Sequence, residues 1–101
     1  MKAVGYVTSQ PIQALDALQD LEIAKPIPGP HDLLVKVAAI SVNPVDYKIR
    51  SSRQGTAEAP VVLGWDAVGT VAAVGPAVTL FQPGDAVFYA GHLMRPGSNA
   101  E

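Results

Sequence analysis

The chain has 101 residues, a formal net charge of -2, and 49% hydrophobic against 16% charged residues. This length fits one small domain, and the composition excludes a disordered chain. Because the chain has no overall basic excess to neutralise phosphates, we expect no nucleic-acid partner. The absence of cysteine removes disulfides, thiolate nucleophiles and cysteine-ligated zinc. No apolar run resembles a signal peptide or is long enough to cross a bilayer, which predicts a cytoplasmic protein with no membrane partner.

Short valine-rich segments separated by nine glycines and nine prolines predict a mainly β domain. The predicted strands cover residues 1–8, 32–42, 67–74 and 85–90. The second of them is apolar on both sides, which favours either two buried faces or one face covered by another domain. The sequence Gln82-Pro83-Gly84-Asp85 predicts a type II turn between the last two strands.

The segment after Pro11 fits two different elements. Leu15, Leu18 and Leu21 recur every three residues, as they would in a short amphipathic helix. Residues 21–23 instead alternate as a strand does, and the run is short for a helix. Both alternatives stay open from the sequence.

A short helix is predicted directly after the second strand, beginning at Asn43. A residue before proline avoids the helical conformation, as an N-cap residue must, and Pro44 suits the first helical position. Asp46 falls at the third position, where its carboxylate can bond back to the cap and interacts favourably with the helix dipole. Starting this helix would by itself explain both Asn43 and Asp46.

Common catalytic and nucleotide-binding motifs are missing from the sequence. His31 and His92 lie far apart in loops rich in glycine and proline, which favours surface or capping histidines over a metal site. No Gly-x-Gly-x-x-Gly fingerprint, phosphate-binding loop or nucleophile elbow occurs. Gly64 and Gly69 instead indicate bulges or close backbone contacts in a strand.

Asp66 is unusual because it follows Trp65 in an otherwise apolar stretch. A carboxylate in such a place is costly unless it is paired or hydrogen-bonded. Its spacing favours a structural salt bridge over a functional carboxyl group with a raised pKa. The candidate partners of Asp66 are Asp46, Arg50 and Arg53.

Three segments in order resemble the N-terminal part of the medium-chain dehydrogenase/reductases: residues 40–46, 63–75 and 81–87. The chain is most similar to the zinc-free, quinone oxidoreductase-like branch, which is catalogued as zinc-type alcohol dehydrogenase-like. This resemblance spans essentially the whole chain. It implies a GroES-like, partly open β-barrel with short helices over residues 1–101, truncated before the Rossmann domain, which is absent from this chain.

The resemblance also implies what the full-length parent does. The parent would reduce quinones, enones or related carbonyls with NADPH or NADH, in a cleft between this domain and the missing C-terminal Rossmann domain. In the zinc alcohol dehydrogenases a cysteine ligand stands at the position of Asn43 and a His-Glu pair at that of Trp65 and Asp66, so no zinc is expected. The resemblance leaves the catalytic proton donor unassigned, with Tyr47 and Tyr89 as candidates. The candidate residues of the cofactor and substrate cleft are Asn43, Asp46, Tyr47, Arg50, Trp65 and Asp66.

The missing cofactor domain has consequences for the chain by itself. We expect the 101-residue chain to be inactive and to bind no cofactor, and the face meant for the absent domain favours self-association. Two other functions stay open. The strand at 85–90 and the polar stretch at 51–60 are compatible with a GroES-type co-chaperonin, and the two-sided apolar strand with a non-catalytic β interaction domain.

Overall fold

The computed structural model describes every residue from Met1 to Glu101 and shows a mainly β fold with one helix. In chain order the elements are β1 (Lys2–Tyr6), β2 (Gln19–Glu22), β3 (Leu33–Ser41), α1 (Pro44–Ser52), β4 (Val61–Val62), β5 (Asp66–Val74) and β6 (Ala86–Ala90). The strands form two antiparallel three-stranded sheets, with orders β2-β1-β4 and β3-β5-β6. The two sheets do not close into one barrel, which agrees with the partly open barrel expected from the resemblance.

The four predicted strands are confirmed as β1, β3, β5 and β6, with ends that differ by at most two residues. A single helix forms, where short helices in the plural were expected. The leucine-spaced segment forms no helix, since Leu15 is fully exposed and Leu21 pairs with Ala3 in the β1–β2 ladder. The strand alternative, made for residues 21–23, was therefore the right one, and the strand runs over Gln19–Glu22.

The buried core lies between the first sheet, the segment that leads into β5, and α1. Four buried side chains contact one another and are joined by two from α1: Tyr6, Val61, Leu63 and Trp65, with Val45 and Ile49. The hydroxyl of Tyr6 donates to the carbonyl oxygen of Ile49 at 3.0 Å and so ties β1 to the helix. Only 15 of the 101 residues are buried, so much of the apolar surface lies outside this core.

The second sheet has two different faces. Val68 of β5 lies opposite both Ala39 and Phe88, and directly opposed residues share a face. This outer face (Ala39, Val68 and Phe88) is open to solvent, with Val68 43% and Phe88 88% exposed. The alternative that both faces of β3 are buried is therefore wrong for this chain. The inner face lines an apolar groove of about 770 Å³.

Two glycines show the backbone constraints expected from the sequence. Gly84 has a φ of 97°, and the N–H of Asp85 donates to the carbonyl of Gln82 at 3.2 Å, as a type II turn requires. At Gly69 a Cβ atom would lie 2.2 Å from the carbonyl oxygen of Lys36 on the neighbouring strand. Gly69 therefore permits the close approach of β3 and β5. The single helix, α1, is not long and apolar enough to span a membrane.

Candidate cleft residues

The junction between β3 and α1 fixes the backbone of Asn43. Asn43 is extended, with φ -130° and ψ 168°, and Pro44 begins the helix as predicted. The backbone N–H of Asn43 donates to Oδ2 of Asp46 at 2.8 Å, and the N–H of Asp46 donates to the carbonyl oxygen of Asn43 at 2.9 Å. Asp46 is only 7% exposed, so this reciprocal contact accounts for its buried carboxylate. The predicted helix start is confirmed.

The side chain of Asn43 reaches across the second sheet to Asp66. Its amide Nδ2 donates to Oδ2 of Asp66, and also lies 3.3 Å from Oγ and 3.4 Å from the carbonyl oxygen of Ser41. The sheet register produces this contact, because Ser41 at the end of β3 lies opposite Asp66 at the start of β5. The predicted salt bridge of Asp66 is wrong. Asp66 forms no ion pair with Arg50 or Arg53, and its partner is the neutral amide of Asn43.

Trp65, directly before Asp66, belongs to the core rather than to an open cleft. It is 4% exposed, and its Nε1 donates to the carbonyl oxygen of His92 at 3.1 Å. Nδ1 of His92 in turn accepts the N–H of Met94 at 3.1 Å, which fits the capping role predicted for the histidines. Trp65 therefore links the core to the loop after β6.

The side chains of Asn43, Trp65 and Asp66 do not form a set of ligands that suits zinc. An indole N–H is a donor with no lone pair to offer a metal, and the Asn43 amide nitrogen is likewise a donor. Structural and catalytic zinc sites use cysteine, histidine or carboxylate ligands, usually three or four together. The chain holds no group of three or more such side chains that could bind a metal ion.

The two remaining cleft candidates lie on α1. Tyr47 is 57% exposed, one turn into the helix that begins beside Asn43. Arg50 is half-buried, and its Nη1 donates to the carbonyl oxygen of Gln10 at 2.7 Å. Arg50 therefore holds the segment after β1 against the helix, a structural contact that the sequence did not reveal because Gln10 is 40 residues away.

The structure does not bring Tyr89, the other proton-donor candidate, to Asn43. Tyr89 lies opposite Ala67, and Ala67 and Asp66 point to opposite faces of β5 because successive strand residues alternate. Tyr89 instead lines the inner groove, together with residues such as Val35 and Val87. Burial there raises the pKa of the Tyr89 phenol above its usual value. The alternation of side chains along β6 is the sequence signal that could have predicted this position of Tyr89.

The chain belongs to a known domain family. Residues 29–100 match the alcohol dehydrogenase GroES-like domain, and the chain is a member of that domain family. The match confirms the predicted relationship to the dehydrogenases and the GroES-like fold.

Relatives and solved structures agree with this assignment. A zinc-type alcohol dehydrogenase-like protein of Staphylococcus aureus strain Mu50 is 51% identical over 100 residues, which are 99% of this chain and 29% of that protein. A Rhizobium etli CFN 42 structure, described provisionally as a zinc-dependent alcohol dehydrogenase, has a TM-score of 0.95 and 57% identity, covering 100% of this chain and 29% of its own. A Coxiella burnetii quinone oxidoreductase has a TM-score of 0.84 and 32% identity, covering 100% of this chain and 33% of its own. The chain thus spans less than a third of the length of the curated S. aureus relative.

Proposed function

We propose that this chain is the N-terminal, substrate-side domain of an NAD(P)H-dependent oxidoreductase that reduces a quinone, enone or related carbonyl without zinc. The relatives are named as dehydrogenase-like proteins and quinone oxidoreductases, which supports an oxidoreductase parent. The observation that carries the zinc-free part is the pairing of Asn43 with Asp66 beside a buried Trp65. The names of the relatives also favour an enzyme over a co-chaperonin or a non-catalytic interaction domain.

The chemistry divides between the cofactor and this chain. A nicotinamide cofactor, when bound, would supply the hydride, and the protein would position the reactants. Asn43 and Asp66, at the end of the second sheet where α1 begins, would orient the ligands. Tyr47 is an exposed tyrosine on α1 and is our candidate to deliver the proton to the oxygen of the reduced carbonyl.

The partner we propose is the C-terminal Rossmann domain of the parent. The exposed outer face (Ala39, Val68 and Phe88) supports a partner, because an apolar patch of this kind favours association. For the isolated chain the same face would drive self-association. The predicted cytoplasmic location stays a prediction.

The test compares the full-length protein with the 101-residue chain. Each is mixed with NADPH or NADH and a soluble quinone or an α,β-unsaturated ketone, and oxidation of the cofactor is followed by absorbance. We expect turnover by the full-length protein only, with elemental analysis showing far less than one zinc per chain. Turnover that needs stoichiometric zinc would contradict the zinc-free part, and a full-length protein inactive with all acceptors would contradict the whole proposal. The same elemental analysis of a His92→Ala variant is the control: zinc that is present in the unmutated protein and lost in this variant would be bound by His92, near Trp65.

A further inference from the structure

We propose that two copies of this chain pair through the free edge of β6, as antiparallel strands centred on Phe88. β6 is the last strand in the order β3-β5-β6, so one of its edges has no neighbouring strand. Pairing there joins the β3-β5-β6 sheets of the two copies into one continuous sheet with a twofold axis. The inference goes beyond the proposed function, since it does not depend on the chemistry of the parent enzyme.

The ladder between β5 and β6 shows which backbone groups face the free edge. The N–H of Val71 donates to the carbonyl oxygen of Asp85 at 2.9 Å, and at the other end of the ladder the N–H of Gly91 donates to the carbonyl oxygen of Trp65. Hydrogen-bonded pairs alternate along an antiparallel ladder, so the odd-numbered residues of β6 bond to β5. The groups that point to the free edge are therefore the N–H and C=O of Ala86, Phe88 and Ala90.

The edge of β6 carries none of the features that protect a strand edge from pairing. Proteins protect such edges with charged side chains, prolines or bulges. The sequence of β6, AVFYA, contains no charge and no proline, and its register with β5 has no shift. All five residues of β6, from both of its faces, line the groove of about 770 Å³, so the space along the strand is open. By contrast β3, the other edge strand of this sheet, carries Lys36 and two register shifts.

β6 is complementary to a second copy of itself in one register. When Phe88 lies opposite Phe88 of the second copy, Ala86 of each copy lies opposite Ala90 of the other. Each of these pairs exchanges two N–H···O bonds, about six bonds in all. A shift by one residue sets edge-facing groups against groups that face β5, and a shift by two loses one of the pairs. The register centred on Phe88 therefore makes the most hydrogen bonds.

The outer face of the sheet continues across this contact. A twofold axis perpendicular to the sheet keeps the outer faces of both copies on the same side. The row of Ala39, Val68 and Phe88 then meets the same row of the second copy at the two Phe88 rings. Phe88, 88% exposed in one copy, gains an aromatic cross-strand neighbour, and such pairs contribute beyond the apolar area that they bury. The contact therefore shields the large apolar side chain that β6 exposes to solvent.

The charges at the two ends of β6 favour the antiparallel direction. Asp85 directly precedes the strand, whereas His92 and Arg95 follow it. An antiparallel partner places the carboxylate of one copy beside the basic end of the other, while a parallel partner would set Asp85 against Asp85. Arg95 is 62% exposed, although it pairs with Asp32. Because exposed charges interact weakly, they select the direction and the backbone and Phe88 supply the affinity.

The register is tested by cysteine cross-linking, because the chain has no cysteine of its own. Hydrogen-bonded antiparallel neighbours lie about 5.5 Å apart at their Cα atoms, within the range that a disulfide spans. A mixture of Ala86→Cys and Ala90→Cys chains, one of them isotope-labelled, is treated with oxidised glutathione. Mass spectrometry should find disulfide dimers that contain one chain of each kind. Each variant alone is the control, because its two equivalent positions are at least about 13 Å apart and should cross-link far less.

The hydrogen bonds of the edge are tested by comparing Phe88→Pro with Phe88→Ala. Both variants remove the ring, but only proline removes the N–H, which faces the free edge and not β5. The dimer of Phe88→Pro should have a roughly tenfold higher dissociation constant than that of Phe88→Ala, since both copies lose a donor at the central pair. Sedimentation equilibrium gives both constants, and the fluorescence of Trp65 shows whether each variant is folded.

Three outcomes would overturn the inference. An unmutated chain that stays monomeric at its highest soluble concentration has no such contact. Equal dissociation constants for Phe88→Pro and Phe88→Ala would assign the association to the outer face instead of the edge. Ala86→Cys chains that cross-link to themselves as readily as to Ala90→Cys would exclude the register. If Phe88→Pro does not fold, the cross-linking result decides alone, and none of these outcomes bears on reductase activity.

Discussion

Tyr6 is the side chain whose loss should damage this domain most. It is fully buried, and it is the only residue of β1 in the core cluster that packs on α1. Tyr6→Ala should lower the free energy of unfolding by about 3–5 kcal/mol, as for other buried aromatic residues. Tyr6→Phe should cost only about 0.5–1.5 kcal/mol. The smaller cost follows because the Ile49 carbonyl, which accepts the Tyr6 hydroxyl, also accepts the N–H of Arg53 at 2.9 Å and is not left unpaired.

These costs are measurable by urea unfolding followed through the fluorescence of Trp65, the single tryptophan. Small domains have only about 5–15 kcal/mol of stability, so Tyr6→Ala should remove a large part of it. Tyr47→Phe is the control, since an exposed tyrosine should change stability by less than about 0.5 kcal/mol. The packing argument fails if Tyr6→Ala costs under about 1 kcal/mol. The hydrogen-bond argument fails if Tyr6→Phe costs as much as Tyr6→Ala.

Two further predictions concern turns and charge. At Gly75 an added Cβ would lie 2.0 Å from the carbonyl oxygen of Gly29, whereas at Gly84 it would meet nothing within 4 Å. Gly75→Ala should therefore cost about 3 kcal/mol and Gly84→Ala, strained only by its φ, about 1–2 kcal/mol; thermal unfolding that reverses this order would refute the contact argument. The hydrogen bonds from Arg95 hold the pKa of Asp32 below its ordinary value of 3.8, so the pair stabilises the fold above that pH and loses this effect as the pH falls. As the pH falls, the free energy of unfolding should decrease less for Asp32→Asn than for the unmutated chain. Equal decreases in the two proteins would contradict a stabilising role of the Asp32–Arg95 pair.

Local patterns predicted the parts of the fold that are decided locally. The valine-rich runs of β3 and β5 and the Asn43-Pro44 helix start each carry their signal within a few neighbouring residues. β2 and β4 have four and two residues, and they are strands only because β1 lies between them. Such short segments have too few residues to show a period, so the sequence left β2 open and did not predict β4.

The candidate site residues were named one by one from the sequence, without their arrangement. The resemblance selected Asn43 and Asp66 separately, and the sequence argument gave Asp66 an ionic partner. The actual partner depends on the register of β3 against β5, which shifts twice, between Leu34 and Val35 and between Val37 and Ala39. Composition and periodicity do not encode such shifts, and a slip of one residue would turn Asp66 to the other face.

The burial of Trp65 limits how this domain can acquire new chemistry. A histidine at that position would have to leave the packed core and give up the bond to His92 before it could bind a metal. Replacing Trp65 by a metal ligand would therefore first lower the folding stability of the domain. A single substitution at this position would not give both a metal ligand and a stably folded protein. Asn43 and Asp66 lie outside the core cluster, so their substitution does not disrupt its packing. Laboratory evolution of this scaffold should accordingly accept changes at those two positions well before it accepts any at the tryptophan.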